Sequence, residues 1–398
     1  MADGPVLSQR AVNRALLARQ MLLDRTPLPA AGPGRAAQVA RTIEHLVGLQ
    51  AQAPFPPYYG LHSRLDGFRP EDLAAMITDR SVVRIALMRG TIHLVSARDC
   101  LPLRRLVQPV IDRGMRSTYG KQLAGVDPAE LAAAGRALVE AEPMTFSRLG
   151  QQLAARWPGH PPTALAQGVR ALVPLVQVPP RAVWGRAGQS LHTSAEHWLG
   201  ERAAADPAYP SLPAPPAEPT PPAELAPPAE LARLVTRYLG AFGPATVRDV
   251  QAWSGLTGLK AVLEELRPSL VTFRDADGAE LFDLPGAPRP GEDAPAPARL
   301  VAEFDNLVLS HAERSRVISP EVATRLYTIN GVIPGTVLVD GFVAGRWRLT
   351  RSRHEAAVTI ELFGPPRERD ALAAEAGRVL AFAAPDAAHQ VRFAPLGS

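Results

Sequence analysis

The sequence predicts an α+β fold in which three tandem winged-helix modules precede a smaller, strand-rich C-terminal α+β unit. Three observations predict it. Groups of helices followed by two strand-like runs recur along the chain, proline-rich segments separate the groups, and the pattern changes to strands after Arg299. The predicted parts are a first winged helix at 1–96, a second at 97–202, a proline-rich linker at 203–230, a third winged helix at 231–298 and the C-terminal unit at 299–398.

The first module is predicted from three helical stretches and one hairpin. Ser8 can cap a helix that extends to about residue 23, because a serine hydroxyl accepts a hydrogen bond from a backbone N–H group of the first turn. Apolar residues recur at helical spacing over 36–47, and a shorter helix is expected at 71–77. The runs 82–87 and 91–95 then form a two-stranded wing.

The second and third modules repeat this order. In the second, Thr145 is expected to cap a short helix that ends near residue 157, and 175–178 is expected to pair with 182–184 as the wing. In the third, Thr246 caps the helix before a turn, and an Asp-Gly turn joins two short strands. The other predicted helices are 98–115, 128–140, 163–172, 231–239 and 258–270, and the strands of the third wing are 271–273 and 280–282.

Proline and glycine mark the breaks between these parts. Residues 203–230 alternate proline with alanine and acidic residues, which excludes a helix or a sheet interior and predicts an extended connector. A second proline-rich break is expected at 285–297. Beyond it, 337–339 and 342–344 face each other across Asp340-Gly341, and a strand at 356–363 and a helix at 367–383 follow.

Composition limits the class of protein. The 398 residues hold one cysteine, so an internal disulfide framework and cysteine-based metal clusters are excluded. No apolar run is long enough to span a membrane and no secretory signal precedes Ser8, so we expect a cytoplasmic, nucleoid-associated protein. Only Lys121 and Lys260 are lysines among the cations. This arginine bias fits phosphate contacts, and a genome rich in G and C explains it equally.

Four short motifs, in a fixed order, identify a family. The set resembles the AlkZ/YcaQ-like winged-helix DNA glycosylases of bacteria, over about residues 8–385. The resemblance implies a concave DNA channel made by three winged helices, excision of alkylated purines, and a catalytic pair at Gln50 and Gln52. A Gln-x-Gln pair is similar to the AlkZ-type subgroup, whereas YcaQ-like members have Gln-x-Asp. The motifs are GLQAQ at 48–52, MRGTIHL at 88–94, EFDNLVLSH at 303–311 and VDGFVAGRW at 339–347.

Two glutamines suit one kind of glycosidic bond. Glycosidases commonly use two carboxylates, and an amide can neither protonate a leaving group nor act as a base at neutral pH. A purine alkylated at N7 or N3 already carries a positive charge and leaves as a neutral molecule, so it needs no general acid. Glutamine carbonyl oxygens can accept hydrogen bonds from a water and oppose the charge of a cationic sugar. We therefore expect Gln50 and Gln52 to hold the hydrolytic water.

The spacing of the pair predicts a shared direction. Gly48 is expected to end the preceding helix, and Pro54, Pro56 and Pro57 are expected to prevent its resumption. On an extended segment, residues two apart point to the same side. The alternative is that both glutamines cap a helix or face solvent without a role in chemistry.

Further candidate residues lie in the other motifs. Arg89, Thr91 and His93 in the first wing are expected to contact DNA or line the site, and a structural role for His93 stays open. Asp305 is a candidate catalytic or supporting carboxylate, with a structural role as the alternative. Ser310 and His311 are adjacent and are not expected to form a hydrolase pair. Phosphate contacts with an aromatic that stacks or packs are expected from Arg346, Trp347 and Arg348, with a solvated edge strand as the alternative.

The expected activity is that of a monofunctional DNA glycosylase that acts as a monomer on double-stranded DNA containing alkylated purines. The expected substrates include bulky natural-product adducts and interstrand crosslinks. No metal or cofactor is expected. A non-catalytic winged-helix transcriptional regulator is the main alternative, although such regulators usually dimerise and no heptad run is visible. A protein that binds the alkylating agent itself is the second alternative.

Overall fold

A computed structural model describes residues 4–200, 228–326, 333–365 and 368–395. Helices and strands are both abundant, so the predicted α+β class is confirmed. The number of winged-helix modules and the five-part division stay predictions. The α-helices are Gln9–Arg19, Pro33–His45, Pro56–His62, Pro70–Thr78, Ala97–Leu106, Gln108–Tyr119, Pro128–Ala141, Phe146–Ala154, Pro162–Leu172, Ala195–Leu199, Pro228–Phe242, Val247–Ser254, Leu259–Leu266, Pro320–Leu326 and Arg369–Ala383.

Most of the described strands are short, and about half of them lie where the sequence predicted hairpins. The described residues also contain four short 3-10 helices, which begin at Met88, Gly120, Arg267 and Asn306. The strands are Thr26–Pro27, Leu49–Gln50, Leu65–Asp66, Val82–Ala86, Ile92–Ser96, Leu175–Val178, Leu191–Ser194, Val271–Arg274, Glu280–Asp283, Arg299–Val301, Gly335–Val339, Phe342–Arg351, Glu355–Leu362 and Ala388–Ala394.

The chain divides into two compact units that do not follow the order of the sequence. The first combines Met1–Asp72, Ala232–Trp253 and Gly258–Ser398. The second combines Leu73–Leu231 and Ser254–Thr257. The predicted linker falls mainly on residues 201–227, which lie outside the described part of the chain, and its last residues already belong to the helix Pro228–Phe242.

The first unit is built on a five-stranded sheet. Its order follows the sequence from Arg299–Val301 to Ala388–Ala394, and every neighbouring pair is antiparallel except the last. The last pair is parallel because the helix Arg369–Ala383 crosses over between its two strands. That helix buries Leu372, Val379 and Leu380 against the sheet, which forms the apolar core of this part.

One predicted hairpin is confirmed at its turn. Asp340 and Gly341 have φ angles of 47° and 80°, and positive φ at both central residues is what a type I′ turn requires. The turn is held from the first helix of the unit, because Asn13 donates to the Gly341 carbonyl at 2.8 Å. Ser8 caps that helix as predicted, but the helix ends at Arg19, since Met21 has a φ of 56°.

The second unit carries an antiparallel set of strands. Ile92–Ser96 pairs with Val82–Ala86, which pairs with Leu175–Val178, which pairs in turn with Leu191–Ser194. The first wing therefore has the predicted strands. The predicted pairing of 175–178 with 182–184 was wrong, because Leu175–Val178 pairs with Leu191–Ser194 and residues 179–190 form a longer loop.

The helix predicted over 98–115 is two helices. Ala97–Leu106 ends at Val107, and Gln108–Tyr119 begins next to it with Pro109 in its first turn. Pro109 has no N–H group and would break a continuous helix, whereas the first turn needs no such donor. Residues 285–297 form neither helix nor strand, but both sides of this segment belong to the first compact unit, so a boundary between two parts at this point stays a prediction.

Candidate active site

The segment that carries Gln50 and Gln52 begins where the helix Pro33–His45 ends. Val47 and Gly48 have φ angles of 53° and 91°, the Gly48 N–H donates to the Ile43 carbonyl at 2.9 Å, and the Val47 N–H donates to the Glu44 carbonyl at 3.1 Å. This pair of bonds is a Schellman turn, which reverses the chain at a helix C-terminus. The expectation that the helix stops at Gly48 agrees with this geometry.

The two glutamines lie in different environments. Gln50 is the second residue of the strand Leu49–Gln50 and is 9% exposed. Ala51 is fully buried, and Gln52 lies exposed in the bend that follows. The pair therefore occupies non-helical backbone, as the prolines predict, but one amide is held inside the protein and the other meets solvent.

A helix follows the pair sooner than the sequence predicted. The helix Pro56–His62 has prolines in its first turn. Backbone N–H groups of the first turn have no carbonyl partner within the helix, so proline loses no hydrogen bond there. The preceding helix does not resume, as expected, but a separate helix that the sequence did not predict begins at Pro56. Tyr58 is fully buried, and Tyr59 packs edge-on against Trp347 and Phe382 with ring centroids 5.8 and 5.7 Å apart. Burial raises the pKa of Tyr59 to about 12, so its phenol stays protonated.

Asp305 is bound by an arginine of the same unit. Arg64 donates to both carboxylate oxygens at 2.8 Å, and both side chains are almost completely buried. The Leu307 N–H also donates to Asp305, which makes Asp305 the cap of a short 3-10 turn. Arg64 further donates to the carbonyl oxygens of Gly60 at 3.0 Å and of the Gln20 side chain at 3.1 Å.

Asn306 connects the third motif to the first. Its side-chain amide donates to the Gly48 carbonyl at 2.9 Å, and the asparagine is 2% exposed. Asn306 and Arg64 were not among the predicted site residues. Asn306 could have been found from its place inside the motif EFDNLVLSH, whereas no sequence pattern indicates Arg64.

The basic stretch after the hairpin is partly neutralised. Arg346 and Arg348 each donate to Glu361 of the neighbouring strand at 2.7 Å. Trp347 points to the other face, where its indole N–H donates to the Val301 carbonyl at 2.8 Å and its ring is 7% exposed. Of the two possibilities that the sequence left open for Trp347, the structure has it packing. Contact of the two arginines with DNA stays a prediction.

The wing residues lie in the second unit. His93 is fully buried, and its Nδ1 atom lies 3.0 Å from the Thr91 carbonyl oxygen. Burial, with a contribution from the charge of Arg89, lowers the pKa of His93 to about 3, so the ring is neutral at physiological pH. Arg89 has a φ of 56° in the turn between the two strands, and the Thr91 hydroxyl donates to the Met88 carbonyl.

His311 has a structural position. Its Nε2 atom lies 3.0 Å from the Phe242 carbonyl oxygen, and burial lowers its pKa to about 3. The Ser310 carbonyl accepts a hydrogen bond from Tyr238. These contacts agree with the expectation that Ser310 and His311 are not a hydrolase pair.

Three of the four motifs meet in the first unit. GLQAQ contacts EFDNLVLSH through Gly48 and Asn306, and the helix after GLQAQ contacts VDGFVAGRW through Tyr59 and Trp347. Within the described ranges, no group of three or more His, Cys, Asp or Glu side chains could hold a metal ion. A membrane-spanning helix is likewise absent from the part of the chain that the structure covers.

Comparison with known proteins gives the family. The model of the AlkZ-like DNA glycosylases matches residues 43–382, which is most of the chain. Among solved structures, the DNA glycosylase AlkZ of Streptomyces sahachiroi is similar, with a TM-score of 0.73 at 20% sequence identity over 98% of this chain and 100% of that one. No curated protein sequence matched. The match over residues 43–382 contains the glutamine pair and the three other motifs, and this chain belongs to the AlkZ-like DNA glycosylase family.

Proposed function

We propose that this DNA glycosylase hydrolyses the N-glycosidic bond of purines that carry a positive charge from alkylation at N7 or N3, using Gln50 and Gln52. The observation that carries the proposal is the pair itself: two amides separated by a buried alanine, on non-helical backbone after a Schellman turn. Neither amide titrates near neutral pH, so the pair suits a base that leaves without being protonated.

The proposed reaction first transfers the positive charge from the purine to the sugar and then removes it by addition of water. Breaking the glycosidic bond turns the cationic purine into a neutral base and leaves the positive charge on the sugar as an oxocarbenium-like species. The carbonyl oxygens of Gln50 and Gln52 stabilise that charge and accept hydrogen bonds from the water that adds to the anomeric carbon. The water loses a proton to solvent, and the product is an abasic site.

The difference in exposure divides the work between the two residues. Gln50, at 9% exposed, is fixed by its surroundings, which favours a preorganised contact with the sugar. Gln52 is exposed to solvent, and we assign to its carbonyl oxygen the hydrogen bond from the attacking water. We include bulky adducts and crosslinked purines in the substrate class because the Gln-x-Gln pair resembles that of the AlkZ-type subgroup. We expect the protein to act as a monomer on double-stranded DNA.

Excision of one defined lesion tests the proposal. Duplex DNA with a single N7-methylguanine is incubated with the wild type, Gln50→Ala or Gln52→Ala, and hot alkali then cleaves at abasic sites. We expect cleavage by the wild type and a loss of roughly 100-fold in the single-turnover rate for each variant, the scale for removal of one preorganised polar group. Full activity in both variants would contradict the assignment of the pair.

Intact strands with the wild type would redirect the proposal to larger lesions. The same assay is then run with a bulky N7-guanine adduct. Binding of undamaged DNA that weakens steeply with salt, together with no excision of either lesion, would contradict a catalytic role for the pair.

A further inference from the structure

We infer that Asn306, supported by the Asp305–Arg64 ion pair, is a positioning residue for Gln50 and Gln52. The inference rests on the proposed function. It assigns Asp305, which the sequence left between a catalytic and a structural role, to holding the glutamine segment in place.

The first step is the contact at the start of the segment. Asn306 donates to the Gly48 carbonyl at 2.9 Å. The peptide group that follows Gly48 is planar, so a hydrogen bond to its oxygen also fixes the N–H side of Leu49. Gly48 has a φ of 91°, a conformation that glycine adopts without strain, and its N–H is held by the Schellman bond to Ile43 while its carbonyl is held by Asn306. The bond from Asn306 therefore helps to fix the direction in which the chain leaves the Schellman turn, two residues before Gln50.

The second step is the contact at the end of the segment. Arg64 follows the helix Pro56–His62 and binds both oxygens of Asp305 at 2.8 Å. The same guanidinium donates to the Gly60 carbonyl inside that helix. Asp305 thus holds the far end of the stretch that contains Gln50 and Gln52.

Asp305 and Asn306 are adjacent, which connects the two contacts. The backbone at this point is itself fixed, because Asp305 caps the 3-10 turn Asn306–Val308. Two neighbouring residues therefore set the distance between both ends of the 48–64 stretch. Both carboxylate oxygens of Asp305 are occupied by Arg64 in a buried setting, so the carboxylate is not free to act as a base.

The variant that tests this is Asn306→Leu, which keeps the size of the side chain and removes the donor. Asn13→Leu is a matched control in the same unit, because Asn13 is also buried and donates to a glycine carbonyl, that of Gly341, at 2.8 Å. Single-turnover excision of N7-methylguanine is measured with enzyme in excess, together with the concentration that gives half the maximal rate and the unfolding midpoint.

We expect Asn306→Leu to lower the maximal rate at least 10-fold while the half-saturating concentration changes less than about 3-fold. Asn13→Leu should lose stability but keep the maximal rate at a temperature where both variants are folded. A wild-type maximal rate in Asn306→Leu, or equal losses of rate in both variants, would overturn the inference. Gln50→Ala is run alongside: a full rate in that variant means that the proposed function has failed, not only its positioning.

Two further measurements apply if Asn306→Leu does not fold or the wild type does not excise this lesion. Backbone amide exchange of a peptide covering 48–55 should be faster in Asn306→Leu than in Asn13→Leu, and equal exchange would overturn the inference without any activity assay. Asn306→Asp can donate to Gly48 only when protonated. Its rate relative to the wild type should therefore fall as the pH rises from about 5.5 to about 8.5, and a flat ratio would contradict the role.

Discussion

At the scale of residues, the positions of the two glutamines differ in whether they tolerate a charged side chain. Gln50 is 9% exposed, so a charge at this position would lose most of its hydration. Gln52 is exposed, and a carboxylate there keeps its water and still offers an oxygen that accepts hydrogen bonds. The two positions therefore carry the same residue but differ in their exposure to solvent.

This asymmetry predicts different results for one conservative change. Gln52→Glu should keep the single-turnover excision rate within about 10-fold of the wild type, since the accepting oxygen remains. Gln50→Glu should lower the free energy of unfolding by about 1–3 kcal/mol, the cost of burying an ill-matched polar group, and should lose more activity. Urea unfolding and N7-methylguanine excision measure both. Equal stability of the two variants would argue against the difference in burial.

The sequence located the glutamine pair but not what holds it. Gly48, the prolines and the motif resemblance predict a non-helical segment, because these signals are local to the chain. Arg64 binds Asp305, and Asn306 binds Gly48. Each of these contacts joins residues more than two hundred positions apart in the sequence. The position of Asn306 inside a motif could indicate a role, but nothing in the sequence distinguishes Arg64 from the other residues among the forty-three lysines and arginines.

At the scale of elements, the strand Phe342–Arg351 separates a packed face from a charged one. Trp347 packs inward while Arg346 and Arg348 share Glu361, whose side chain is almost fully buried. Glu361 therefore cancels part of the positive charge that the two arginines could offer to phosphates. We therefore expect this buried carboxylate to weaken any attraction of the two arginines for phosphates.

Removing that carboxylate should strengthen DNA binding. Glu361→Gln should raise the affinity for undamaged duplex DNA and steepen the dependence of log Kd on log salt, and Arg348→Gln should reduce the slope by up to about 1. Arg156→Gln is the control, because Arg156 is an exposed arginine paired with Glu130 in the second unit. Fluorescence anisotropy over a salt series measures the slopes. No change in slope for either variant of the strand would place DNA elsewhere.

Elements were predictable where their signals are short-range. The Asp340-Gly341 hairpin and the helices capped by Ser8 and Thr145 follow from local turn and cap chemistry, and the structure has them. The second wing was wrong because the partner of Leu175–Val178 lies at Leu191–Ser194, beyond a proline-rich loop. Pairing across a loop of that length leaves no local signal.

At the scale of the whole molecule, membership of the AlkZ-like DNA glycosylases favours an enzyme over the regulator that the sequence left open. The two compact units divide the motifs, since Gln50 and Gln52 belong to the first and His93 to the second. Both units keep histidines in their interiors. Burial is the largest cause that lowers the pKa of each, to about 3 for His62, His93 and His311 and to about 4 for His192.

These histidines predict a loss of stability in mild acid. Each is neutral in the folded protein but binds a proton near pH 6.5 when the chain unfolds, so its contribution is complete above that pH and is lost as the pH falls toward the folded pKa. At pH 5.5, about one unit below the unfolded pKa, the loss is on the order of 1 kcal/mol for each histidine. Unfolding midpoints at about pH 7.5, 6.5 and 5.5 measure it. His93→Gln should reduce the pH dependence, whereas His354→Gln, at an exposed position, should not. Identical pH profiles for His93→Gln and the wild type would mean that the pKa of His93 does not change on folding, which would contradict the burial of this ring in its neutral form.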